Sequence, residues 1–236
     1  AKVLSAALGV ELIRLQCYEG IDAAQALYEW DYPRQLLHLR ALEARGADLD
    51  DAESDLYTPR FLLERPLLRA IRSDGAAVLL IDEVDRADDE FEAFLLEVLS
   101  DFQVTIPELG TIATARPPIV VLTSNRTREL HEALRRRCVY HWIDHPTIER
   151  EAEIIRLRAP EVPGTVARRV ADVVARIREL DLFKPPGVAE SIDWARVLAL
   201  LDVDDLDPAT AGETLGTLVK ERDDLVRVRA ALDEVL

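Results

Sequence analysis

At 236 residues, 49% hydrophobic and 31% charged, the chain carries enough apolar material for one large or two modest globular cores and is not a disordered polymer. A net charge of -16 and a pI near 4.7 argue against non-specific attraction of the whole chain to nucleic acid or to an anionic membrane surface. No run approaches the ~18 uninterrupted apolar residues of a spanning helix, the first segment lacks the apolar core of a signal peptide, and Cys17 and Cys138 lie outside any CxxC pattern, so the expected location is cytoplasmic with reduced thiols.

In chain order, Ala1 to Leu8 reads as the end of a helix stopped by Gly9, and Glu11 to Cys17 as a short strand. Asp22 caps an expected helix over Ala23 to Trp30. Pro33 interrupts before Leu36, Leu37, Leu39 and Leu42 resume helical spacing. The acidic stretch Asp48 to Asp55 resembles a calcium loop only superficially, because the sixth and twelfth places hold Glu53 and Pro59 where Gly and Glu are needed, and it reads as a solvated loop. Phe61 to Ile71 has helical spacing. The apolar run Ala76 to Ile81 follows, then a helix near Glu90 to Ser100, a hairpin around Glu108-Leu109-Gly110, and a second apolar strand, Ile119 to Leu122, that ends in Thr123-Ser124-Asn125.

Strands disappear from Thr147 onward. Val166, Val170, Val173, Ile177 and Leu180 line one helix face, and after the breaker Asp181 to Gly187 the residues Val188, Ile192, Ala195 and Ala199 restart the same spacing. A composition shift near Asp144-His145-Pro146 therefore divides the chain into an α/β part, 1–146, and an all-α part, 147–236.

The run Ala76-Ala77-Val78-Leu79-Leu80-Ile81-Asp82-Glu83 places the candidate site. A buried parallel strand reads as an unbroken apolar run, and ligands of open α/β sheets sit at the carboxyl ends of the strands, where Asp82 and Glu83 fall. The pattern looks like a Walker B strand. His131, His141 and His145 form no ligand set: a strand over Val139 to Ile143 would point His141 and Trp142 to opposite faces, and no Cys or carboxylate cluster completes a site.

The order of these pieces resembles the AAA+ ATPase core followed by a helical lid, and within it the MoxR-type ATPases, especially the CoxD-like branch that accompanies carbon monoxide dehydrogenase maturation. The residues carrying the resemblance are Leu15 to Gly20, Tyr28-Glu29-Trp30, Leu79 to Asp85, Leu122 to Arg126, Leu134 to Cys138, and Lys184-Pro185-Pro186-Gly187. It implies a P-loop NTPase fold with ATP and magnesium as cofactors. Asp82 would hold Mg, usually through a water, because the β- and γ-phosphates need a hard cation. Glu83 would orient and activate the attacking water. Asn125 matches the sensor position, where a neutral amide binds the γ-phosphate and the lytic water, with Thr123 and Ser124 beside it. Arg137 aligns best with the arginine finger supplied to a neighbouring subunit, with Arg135 and Arg136 as alternatives. The stretch Lys184 to Glu190 departs from the pattern: it offers Lys184 and no arginine until Arg196 where a second sensor is usual.

A further departure is that no GxxxxGK[ST] loop occurs in the sequence, although such a loop supplies the backbone amides and lysine that cradle phosphates. In the family that loop lies just upstream of sequence like Ala1 to Leu4, so the chain is expected to be part of a longer protein, and inactive without that segment. The strand before the loop is expected between the Asp82 strand and the Asn125 strand.

The resemblance implies an ATP hydrolase working as a homo-oligomeric ring of six subunits that remodels or activates a protein partner in a chaperone-like role. A von Willebrand factor A domain protein and a metalloenzyme client are the implied partners. A non-catalytic scaffold or adaptor is the alternative; a DNA-acting motor shares the core but finds no basic, aromatic-rich appendage here.

Overall fold

The computed structural model describes residues 1–44, 55–203 and 206–236. The acidic stretch discussed above falls largely outside the described residues. Two compact units result, Ala1–Tyr140 and His141–Leu236, each with its own apolar core.

The first unit opens with α1 (Lys2–Leu8), stopped by Gly9 in the left-handed region (φ 65), followed by β1 (Glu11–Gln16). β4 (Ala77–Asp82) lies at the centre of a three-stranded parallel sheet of order β1-β4-β7, with β7 spanning Ile119–Leu122. Register pairs Gln16 with Asp82 and Ile81 with Leu122. Residues Ala77 to Ile81 are all buried, as an apolar run covered on both faces should be, whereas β1 buries only Ile13 and Leu15 and turns Arg14 and Gln16 the other way. The Asp82 and Asn125 strands pair directly, Val78 to Ile81 beside Ile119 to Leu122 in parallel register, so the expectation of a strand between them is corrected.

Two further expectations are revised. Only Ala23–Leu27 is helical (α2), capped by Asp22 and Gln25 in a reciprocal capping box; Tyr28–Trp30 is β2, antiparallel to β3 (Leu62–Glu64). Trp30 is buried and meets Tyr57 edge-on at 5.3 Å, so tertiary pairing overrides the local helical spacing. The same pairing removes Leu62–Glu64 from the helix expected over Phe61 to Ile71, which instead begins at Pro66 (α4, Pro66–Arg72). Pro33 does not interrupt a helix. It sits in the first turn of α3 (Tyr32–Glu43), whose Asp31 cap accepts from the Arg34 amide, and Leu36 and Leu37 on that helix face solvent.

α5 (Asp89–Asp101) is capped by Asp88, and the hairpin β5 (Gln103–Ile106) and β6 (Gly110–Ala113) turns at Gly110, whose φ of 78 suits glycine. α6 (Glu132–Arg136) closes the unit. In the second unit, α7 (Ile148–Arg158), α8 (Gly164–Arg178), α9 (Val188–Leu200), α10 (Pro208–Leu218), α11 (Arg222–Ala230) and α12 (Leu232–Val235) bury Val166, Val170, Val173 and Ile177 around Trp194, with the indole N–H donating to Thr214 at 2.8 Å. Val139 to Ile143 is irregular rather than a strand, and Val139 and Ile143 are exposed. No helix among the described residues is long and apolar enough to cross a membrane.

Candidate nucleotide and magnesium site

β4 delivers Asp82 to its carboxyl end, and the chain then turns sharply because Glu83 adopts the left-handed region (φ 55, ψ 48). A non-glycine residue there is strained, a cost of roughly 1–3 kcal/mol that the surroundings must offset. They do so through β7: the Glu83 amide donates to Thr123 Oγ1 (2.9 Å) and the Val84 amide to the Thr123 carbonyl (2.9 Å). Thr123 Oγ1 in turn donates to Asp82 Oδ1 at 2.5 Å. One hydroxyl thus fixes both the metal-binding candidate and the backbone of the candidate base.

Asn125 Nδ2 lies 3.3 Å from Glu83 Oε1, so Asp82, Glu83 and Asn125 converge at the ends of two neighbouring strands. Arg137 does not join them. It sits at the carboxyl cap of α6, exposed, with Nη1 donating to the Ala133 carbonyl at 3.4 Å. Arg135 and Arg136 are exposed on the same short helix, and Arg136 pairs with Glu132 at 2.5 Å.

Several participants escaped the sequence reading. Gln16 Nε2 donates to Glu83 Oε2 at 3.1 Å, and Arg14 reaches Asp82 Oδ2 with Nε (3.0 Å) and Nη2 (2.5 Å). The available signal was the alternation Ile13-Arg14-Leu15-Gln16, which puts two polar side chains on one face of a strand beside the carboxylates. Asp85 is buried and accepts from the Asn125 amide (3.2 Å), the Thr127 amide (2.8 Å) and Thr127 Oγ1 (2.7 Å), so it fixes the loop that presents Asn125. Glu92, fully buried on α5, accepts from Arg128 and from the His131 amide (2.8 Å), tying the start of α6 to the same scaffold.

The electrostatics follow from these bonds. The Thr123 hydroxyl, then Arg14, hold the Asp82 carboxyl below its usual value against a smaller opposing effect of burial. Burial pushes Asp85 up, but the hydroxyl and amide of Thr127 and the amide of Asn125 together outweigh it and leave the group depressed. Cys17, one residue past β1, is pushed up to about 12 by burial and by the neighbouring Asp82, Asp85 and Glu83, which makes it an inert packing thiol. Cys138 is also a free thiol. Among the described residues no group of three or more His, Cys, Asp or Glu is arranged to hold a metal by itself. Asp82 offers a hard, ionised oxygen at the rim of the sheet, 22% exposed at its side chain, which fits magnesium held partly by water and phosphate oxygens rather than by a protein cage.

Comparison with known protein families gives the class. The model of the AAA domain, dynein-related subfamily, matches residues 1–138, and the chain belongs to that family. The family is one of ATPases with the P-loop NTPase fold, a parallel sheet flanked by helices, as found here; its members generally use ATP and magnesium and generally form oligomeric rings. Among solved structures, a RuvB point mutant from Thermotoga maritima is similar at 16% identity over 94% of this chain and 58% of that one, with a TM-score of 0.49. A putative ATPase from Cytophaga hutchinsonii is similar at 14% identity over 100% of this chain and 80% of that one, TM-score 0.41. A complex of the BchI and BchD subunits of magnesium chelatase gives 15% identity over 94% and 69%, TM-score 0.27. The chain spans less than three-fifths of the length of the first of these. No curated protein matches the sequence.

Proposed function

We propose that the chain is the ATPase part of a MoxR-type protein of the CoxD-like branch, hydrolysing ATP in a ring to remodel or activate a protein partner during maturation of a metal-cofactor enzyme. The observation that carries the hydrolase reading is the convergence of Asp82, Glu83 and Asn125, with the Asn125 amide nitrogen 3.3 Å from Glu83 and Thr123 braced between the two acids. Residues 1–146 serve as the nucleotide-binding core and 147–236 as the lid.

In this reading magnesium, when bound, neutralises charge on the phosphates, and Asp82 holds it through water. Glu83 takes the proton of the attacking water, which needs a carboxylate held in one orientation; the turn at Glu83 and its bond to Gln16 supply that orientation. Asn125 orients the water and reports the γ-phosphate without adding charge. Arg137 acts on the ATP of a neighbouring subunit, which suits its exposed position at the end of α6. A von Willebrand factor A domain protein and a metalloenzyme client are the proposed partners, and six subunits the proposed ring, in the cytoplasm.

The scaffold alternative rests on one observation, that the 236 residues contain no GxxxxGK[ST] loop. ATP turnover and nucleotide binding measured on residues 1–236 beside a version extended upstream through the genomic reading frame separate the two. The hydrolase reading expects turnover from the extended protein, abolished by Glu83→Gln with binding kept. An extended protein that folds and ignores ATP supports the scaffold.

A further inference from the structure

Arg14 stands out because nothing in the hydrolytic scheme calls for it. Its guanidinium makes two bonds to one oxygen of Asp82, from Nε at 3.0 Å and Nη2 at 2.5 Å, while Thr123 takes the other oxygen at 2.5 Å. The same Nη2 donates to Gln16 Oε1 at 2.5 Å, which fixes the Gln16 amide so that its nitrogen faces Glu83 Oε2 at 3.1 Å. Arg86 adds a longer pair to Glu83, 3.4 Å. Arg14 therefore grips one acid directly and orients the donor to the other.

The register explains how one residue does both. Gln16 lies beside Asp82 in the β1/β4 ladder, and Arg14, two residues earlier, shares the Gln16 face, so its long side chain runs forward along the strand to the carboxylates. Asp82 and Glu83 follow one another at this end of the sheet, and a cation at the rim offsets the repulsion between two adjacent acids. Arg14 and Thr123 between them engage both oxygens of the carboxylate that a divalent cation or its water ligands would use.

The geometry points to Arg14 as a positioning residue that acts as a built-in counter-cation for Asp82: it holds the acids in order before metal arrives and competes with the metal for the same oxygen. The inference rests on the reading of Asp82 as the magnesium-binding acid. It concerns metal affinity and leaves the chemistry of hydrolysis to Glu83 and Asn125. Because the Arg14 side chain is 56% exposed, the competition is modest and sensitive to salt.

The test is Mn2+ binding followed by the electron paramagnetic resonance signal of unbound Mn2+, on the upstream-extended protein, with Mn2+ alone and with ADP present. Arg14→Met should bind Mn2+ about threefold to tenfold more tightly than the parent, the scale of a partly exposed charge interaction. Arg14→Lys, which keeps the charge, should stay near the parent, and the gain from Arg14→Met should shrink in high salt. Damage to the fold loosens a site and does not tighten it, so tighter binding is not a structural side effect; Arg14→Gln serves if the Met variant does not fold. Unchanged or weaker binding by the uncharged variants, with Asp82→Asn losing the metal, overturns the role of Arg14 and leaves the magnesium reading standing. Binding that Asp82→Asn does not alter overturns both.

Discussion

Each unit of this protein keeps a carboxylate in contact with an arginine, and the two pairs are built for different ends. In the helical unit, Glu151 on α7 is fully buried and meets Arg178 on α8 with both oxygens (2.5 and 2.9 Å), while Ser191 adds a bond at 2.6 Å and Arg178 Nε donates to the Pro186 carbonyl at 2.8 Å. Both carboxylate oxygens and all three guanidinium nitrogens are used, and the two side chains are only 8% and 1% exposed. In the sheet unit, Asp82 meets Arg14 at the rim, with side chains 22% and 56% exposed. The first pair cannot be opened without leaving a charge buried; the second can be opened by any cation that competes. Burial therefore separates a carboxylate that serves the fold from one that can be addressed by a ligand.

The difference can be broken deliberately. Glu151→Ala leaves the largely buried Arg178 guanidinium without its carboxylate and should cost about 3–5 kcal/mol of stability, read from chemical denaturation of the helical unit. Asp85→Asn keeps the shape and one acceptor oxygen but turns the other into an amide donor, so either the bond from the Asn125 amide or the pair from Thr127 is lost; a loss of roughly 1–3 kcal/mol is expected in the sheet unit. The folded-state carboxyl of Asp85 is depressed, so its contribution is fully present above the ordinary carboxylate range near pH 4 and is lost as pH falls below it. The parent should therefore shed stability below about pH 4 more steeply than Asp85→Asn, which a series of denaturation curves between pH 5 and pH 2 would detect.

Asp82→Asn sits at the other end of the scale. Opening a partly exposed pair should change stability by no more than about 1 kcal/mol. If its effect rivals that of Glu151→Ala, Asp82 is a structural acid and the contrast fails. A smaller effect still concerns Cys17, which should resist alkylation in the folded protein at pH 8 and react only on unfolding; prompt labelling would mean that the floor of the site is open to solvent.

How much of this was legible in the sequence depended on whether the signal was local. The strand Ala77–Asp82 and the helix Gly164–Arg178 announce themselves because burial on both faces, or along one helical stripe, writes a pattern into consecutive residues. Asp82 and Glu83 stood out because they close an apolar run, and Asn125, three residues past another, because of the family resemblance. β2 and β3 were not: three-residue strands carry almost no period, and Tyr28–Trp30 pairs with Leu62–Glu64 more than thirty positions away. Arg14, Gln16 and Asp85 were missed for a related reason. Their roles arise from contacts across 40 to 68 positions of sequence, which no spacing rule connects. The direct pairing of the Asp82 and Asn125 strands likewise belongs to sheet order, which a linear pattern does not encode.

The most direct test pairs two readouts on one substitution. Glu83→Gln in the upstream-extended protein should lose ATP turnover by about a hundredfold or more while its unfolding free energy stays within about 1 kcal/mol of the parent, because Glu83 is held at the rim by single, partly exposed bonds. Turnover that survives the change, or a loss of stability as large as that of Glu151→Ala, would contradict the account of this carboxylate as the reacting one.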